Sequence, residues 1–363
     1  MKLGPISALI LTAAISATAQ SARVKPSPSP TPNPNLRPSV IYLPTSRTNP
    51  DLPSSRPRTA PSPTPQPKLG DDGQVVKVES TLVPIPVSVV DATGRSVTNL
   101  KVDDFQLKID GKDADISQIY RSESPVRLAM LFDNSSSVAV AREFEKDAAV
   151  SFFRRVIRPD RDQAALFSVA DRTQLEQPMT HDVGLLVRAI EMFPPPSGAT
   201  ALLDGIITVA DYLKEVDGRR VLVIVSDGED TISDLDTTLE KVTRRLLQDD
   251  VQVFVVKTKD FENFKRTGMR QGNANIRVLD AERRMLDISG QTGGEVYSPL
   301  DERELDDAFA RISAELADQY ILSYYPDSDA DKGGEFRNIS LTVKGKTNVN
   351  IRNRKGYYVP KRN

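Results

Sequence analysis

Cysteine and tryptophan are absent from this chain, and histidine occurs once, at His181. Without cysteine there is no disulfide, no thiol nucleophile and no zinc–thiolate centre. One histidine, in the polar stretch Met179-Thr180-His181-Asp182, cannot supply a His-rich metal site, and that stretch reads as a loop or helix start rather than as a general base. Hydrophobic residues are scarce too, at 39% of 363, whereas proline is abundant at 26. A folded portion joined to a proline-rich one accounts for both. No stretch reaches about 18 uninterrupted apolar residues, so no transmembrane anchor is expected. The net charge of −2 is unevenly spread: residues 1–70 carry +7, which leaves −9 on residues 71–363. An acidic body argues against a nucleic-acid partner.

Five segments follow from the pattern along the chain. Residues 1–19 have the form of an export signal, with Lys2, an apolar run from Leu3 to Ile15 and an Ala17-Thr18-Ala19 cleavage site. The expected location is therefore periplasmic or secreted. Residues 20–70 alternate proline with small polar residues, as a semi-rigid spacer does. Residues 71–125 are rich in β-branched residues, with a turn at Asp91–Gly94 and a hairpin signal at Asp110-Gly111. Residues 319–363 look similar, and hairpins are marginal alone. The two ends are expected to pair into a small β-sandwich-like domain. Between them, residues 126–318 alternate apolar strands (Leu128–Phe132, Gln163–Val169, Val221–Ser226, Val251–Val256, Val296–Tyr297) with helices (Val140–Val156, Val183–Met192, Ala201–Val216, Leu235–Leu247, Asp280–Ser289, Asp301–Ala317). That order predicts an α/β fold with a doubly wound, mostly parallel sheet, which binds ligands at the carboxyl ends of its strands. The polar stretch Lys259–Asn275 reads as a loop flanking that edge.

Three segments would meet there. Asp133-Asn134-Ser135-Ser136-Ser137 follows the first strand as Asp-x-Ser-x-Ser, Ser197-Gly198-Ala199-Thr200 leads into a helix, and Ser226-Asp227-Gly228 follows the strand Val221–Val225. Carboxylates and hydroxyls are hard oxygen donors suited to a small octahedral cation: Mg²⁺ or Mn²⁺ rather than Ca²⁺. Each also has an ordinary use, with Ser135, Ser137 and Thr200 capping helices and Asp227 shaping a turn.

This constellation resembles the metal-ion-dependent adhesion site of von Willebrand factor type A domains. The resemblance covers about Val126 to Ala317. It implies a Rossmann-like fold in which Ser135 and Ser137 ligate the metal directly, Thr200 joins in the ligand-bound state, and Asp133 and Asp227 act often through water. The vacant position would take a carboxylate from a partner protein. The β-rich lead-in, Ser226-Asp227-Gly228-Glu229-Asp230-Thr231 and the ending Gly356-Tyr357-Tyr358 resemble exported type A-related proteins of Acidobacteria. The expected function is thus a metal-dependent protein-binding module, not an enzyme. Two alternatives stay open: a structural or assembly protein of the cell envelope whose metal only orders loops, and a metal-dependent hydrolase.

Overall fold

The computed structural model describes residues 82–121, 124–269, 276–326, 333–346 and 348–359. The chain divides into units 1–73 and 74–363, and every described residue belongs to the second. The export signal and the proline-rich spacer lie outside the described residues. No helix among the described residues is long and apolar enough to cross a membrane.

The α/β part is built on β5 (Val126–Asp133), β6 (Gln163–Val169), β7 (Thr173–Thr180), β8 (Arg219–Ser226), β9 (Val251–Lys257) and β10 (Val296–Tyr297). Their order across the sheet is β10-β9-β8-β5-β6-β7. All neighbours are parallel except β6 and β7. The central strands are continuous apolar runs because both of their faces are covered. One face packs against α1 (Arg142–Val156), α2 (Val183–Glu191) and α7 (Glu302–Asp318), through Phe152, Phe153, Ile190 and Phe309. The other packs against α3 (Leu202–Lys214), α4 (Leu239–Gln248) and α6 (Ile276–Thr292), through Ile206, Leu246 and Ile288.

Two elements differ from the sequence expectation. The strand β7 was not anticipated: its sequence, TQLEQPMT, is polar and contains Pro178. It pairs on one side only, where a missing N–H is tolerated, and its register slips twice against β6. The first part of the expected loop Lys259–Asn275 is a helix, α5 (Lys259–Thr267). Phe261 is buried there, and the helix stops at Gly268, whose φ of +70° suits a C-terminal cap.

The two chain ends do pair. One sheet has the order β13-β1-β11-β4, from β1 (Val83–Asp91), β4 (Gln118–Arg121), β11 (Tyr320–Tyr324) and β13 (Val349–Asn353). The other has the order β14-β12-β2-β3, from β2 (Phe105–Ile109), β3 (Lys112–Ala114), β12 (Phe336–Val343) and β14 (Gly356–Tyr358). The β2–β3 connection is the expected hairpin: Asp110 and Gly111 both have positive φ, at 49° and 80°. Val87, Phe105, Leu107, Leu322 and Leu341 from the two sheets share one core. A polar contact joins this part to α7. The Ser88 hydroxyl donates to Glu315 at 2.5 Å, and Arg352 pairs with both Glu315 and Glu295.

Candidate metal centre

Asp133 is the last residue of β5, and Asp227 follows the last residue of β8. Both strands are parallel, so both carboxyls stand at the same sheet edge. Ser135 and Ser137 lie at a single 3-10 turn that precedes α1, and Thr200 lies two residues before α3. Backbone hydrogen bonds stitch these loops together. Ser136 N donates to Gly198 O at 3.2 Å and Ser197 N to Asn134 O at 3.0 Å. Thr231 N donates to Thr200 O at 2.8 Å, and Ala201 N to Ala170 O, at the end of β6, at 2.9 Å. The fold thus brings all five sequence-derived positions to one edge.

The ordinary uses of these side chains are only partly taken up. Ser135 occupies the N-cap position of its turn but makes no capping hydrogen bond through its side chain. Its Oγ lies 3.0 Å from Ser137 Oγ instead. The start of α3 is capped from outside, with Leu203 N donating to Asp230 Oδ1 and Asp204 N to Ser233 Oγ, which relieves Thr200 of that role. Asp227 does shape its turn, since Oδ1 accepts from Glu229 N at 3.0 Å. Its other oxygen faces Lys259 Nζ at 3.2 Å, and the same ammonium lies 3.0 Å from Glu229 Oε1.

Asp133 is fully buried. Its oxygens accept from Ser135 N at 2.9 Å and from Ser226 Oγ at 2.6 Å, which fixes the carboxyl plane. Burial pushes this carboxyl up to about 6, and the charge of Asp227 adds to the rise. Two buried acids facing one edge favour a cation between them.

The donor set fits a small divalent ion. Neighbouring ligands of an octahedral ion at about 2.1 Å stand roughly 3.0 Å apart, against about 3.4 Å for oxygens near 2.4 Å. The Ser135–Ser137 separation of 3.0 Å, also the length of a hydroxyl–hydroxyl hydrogen bond, matches the smaller ion. Among the described residues no three His, Asp or Glu side chains form a chelating group by themselves. An ion at this edge therefore needs the hydroxyls as well as the carboxyls.

Sequence comparison bears on the same segment. Residues 128–229 match the family model of the von Willebrand factor type A domain. The type A match thus runs from β5 past the end of β8 and spans all five candidate positions. No curated protein matches the chain. Solved structures similar to it include the PilB minor pilin from Streptococcus sanguinis, at 12% identity and a TM-score of 0.41, covering 54% of this chain and 62% of that one. This chain therefore spans about three fifths of the pilin's length. An aerotolerance-related membrane protein from Bacteroides fragilis, with multiple mutations to serines, gives 16% identity, a TM-score of 0.40 and coverage of 53% and 98%. The BatB protein from Bacteroides thetaiotaomicron gives 14%, 0.38, and coverage of 52% and 97%.

Gly198 in the type A region holds the Thr200 loop in place. Its φ is +80°, and an added Cβ would lie 2.6 Å from Asp171 Oδ1, the oxygen that accepts from Ala199 N at 2.7 Å. Gly198→Ala is expected to strain the backbone by roughly 1–2 kcal/mol and to displace Asp171. Thermal unfolding should fall by a few degrees, and Mn²⁺ affinity should drop about tenfold, or 1.4 kcal/mol. Unchanged affinity in the variant would detach this loop from the centre.

Sequence reasoning missed three charged groups here: Lys259 on Asp227, and the buried Glu145 and Glu262. The sequence around each is a run of mixed charge, which gives no sign of burial.

Proposed function

We propose that this chain is an exported binding module that uses a divalent metal, Mg²⁺ or Mn²⁺, to hold an acidic group of a partner protein. The observation that carries the reading is the meeting of Asp133, Ser135, Ser137, Thr200 and Asp227 at one sheet edge, with the serine hydroxyls uncommitted to capping. Ser135, Ser137 and Thr200 would hold the ion directly, while Asp133 and Asp227 balance its charge and orient bound water. When bound, the ion supplies a Lewis-acid position open to one further oxygen ligand. The chain's own residues fix the rest. Ser226 and the Ser135 amide lock the Asp133 carboxyl, and Asp230 and Ser233 hold the Thr200 helix start. No histidine stands in this set, and the binding reading asks for no general base.

Titration calorimetry of the full chain with Mg²⁺ and Mn²⁺ tests the metal. Saturable binding is expected, weakened at least tenfold in Asp133→Ala; equal binding in that variant would refute the site. Water-proton relaxation of the Mn²⁺-loaded chain tests the open position. Added acetate is expected to lower it by displacing coordinated water. No change would favour the structural alternative, in which the metal only orders loops.

A further inference from the structure

Among the described residues, Lys259 is the one basic side chain in an ion pair with a candidate ligand. Its ammonium lies 3.2 Å from Asp227 Oδ2 and 3.0 Å from Glu229 Oε1. The other oxygen of Asp227 accepts from Glu229 N. Both oxygens of this carboxyl, whose side chain is fully buried, are therefore engaged. Any ion that draws on Asp227, directly or through water, has the ammonium as a neighbour on the same group.

The helix that carries Lys259 does not call for a lysine there. Lys259 is the first residue of α5, where the helix dipole favours acids and disfavours a cation. Asp260 and Glu262 in the same turn follow that preference, and Lys259 opposes it. The N-cap residue, Thr258, adds no capping bond through its side chain. The position of the ammonium is thus set by Asp227 and Glu229 rather than by local helix chemistry. The side chain is not sealed in either. It is 19% exposed, and Glu229, at 24%, can hold the ammonium without Asp227.

We propose that Lys259 is a tethered counter-ion of Asp227, which competes with the divalent cation and sets how tightly this edge holds one. The inference rests on the metal-binding reading given above. Lys259 leaves Asp227 and stays with Glu229 when an ion is held, so that loading exchanges one cation for another. A fixed positive charge beside the ligands weakens the hold on a dication. The same charge spares the buried Asp227 from standing uncompensated. One side chain therefore stabilises the unloaded chain and lowers its affinity for metal.

Titration calorimetry with Mn²⁺ on the full chain and on Lys259→Met reads the affinity, and thermal unfolding in chelator reads the stability. The variant is expected to bind Mn²⁺ about tenfold more tightly and to melt several degrees lower. Lys259→Arg keeps the charge and is expected to forfeit most of that gain in affinity. An ion pair that serves folding alone gives lower stability with equal or weaker Mn²⁺ affinity in Lys259→Met, and that result overturns the proposal. Binding by Lys259→Met but not by the original chain upholds it. Mn²⁺ binding by neither overturns the proposed function and this inference with it. Should Lys259→Met not fold, the original chain serves. Acetylation of Lys259 by acetic anhydride, followed by mass spectrometry, is expected to run several-fold faster in saturating Mg²⁺, with Lys241 on α4 as the unchanged reference. An equal rate at Lys259 with and without Mg²⁺ overturns the proposal.

Discussion

Alanine at both Ser135 and Ser137 is expected to weaken Mn²⁺ binding at least a hundredfold while leaving the melting temperature of the metal-free chain within about 2 °C. The two hydroxyls face each other at 3.0 Å and cap nothing. Deleting both partners of one hydrogen bond is close to neutral for folding, and Asp133, which loses the Ser135 hydroxyl as a donor, keeps Ser226 Oγ and the Ser135 amide. The same deletion removes two direct ligands, while Asp133 and Asp227 remain and keep the charge of the edge unchanged. A hundredfold is about 2.8 kcal/mol of binding free energy. Calorimetry and thermal unfolding on the same samples separate the possible causes. A large loss of stability with unchanged Mn²⁺ affinity would make the serines structural and the metal reading wrong.

Metal-free protein should become less stable as pH rises from about 4 to 8, and saturating Mg²⁺ should flatten that fall. Asp133 moves from 3.8 to about 6 and Glu262 from 4.5 to about 8, with Glu145 displaced in the same direction. Folded pKa values above the unfolded ones mean that the native chain still holds protons the unfolded chain has released. The stability these groups contribute is fully present below the unfolded pKa values and is lost as pH rises through the folded ones. Asp133 alone accounts for about 3 kcal/mol across its two-unit displacement. A bound dication reverses the preference, because it favours the ionised carboxyls. Acid loosening below about pH 4 comes from groups displaced the other way, such as Asp162, where the Arg158 guanidinium and the Val126 amide outweigh burial. Urea unfolding at pH 5 and pH 8, in chelator and in Mg²⁺, reads all four conditions. Equal or higher metal-free stability at pH 8 would mean that these carboxyls are already charged and compensated.

Much of the α/β order was legible because buried parallel strands are continuous apolar runs, as in Val221–Val225 and Val251–Val256. The five edge positions were legible for a related reason: each sits at a strand end or a helix start, where spacing alone fixes the place. The strand β7 was not, since a one-sided edge strand needs neither apolar alternation nor a full set of N–H groups. Glu145 was not legible either. It sits in Arg-Glu-Phe-Glu-Lys-Asp, where Glu143 and Glu145 look alike, yet Glu143 is exposed and Glu145 is buried. The difference lies in α5, over 110 residues later in the chain. That helix packs Phe261 against Phe144 with ring centroids 5.7 Å apart, one residue before Glu145. Contacts made at that sequence distance leave no local trace.

The placement of the α/β part inside the β part has a mechanical meaning. The chain leaves the small sheet on β4 and returns on β11, and these strands are hydrogen-bonded neighbours, with Arg121 opposite Tyr320. The first strand, β1, is clamped between β11 and β13. Tension applied to the two ends of this unit therefore runs through the ladders of the small sheet, which shunt it past the six-stranded sheet. The edge bearing Asp133 and Asp227 keeps its shape under such a pull until those ladders shear. The load path of this unit and the edge that carries Asp133 and Asp227 are thus separated by topology alone.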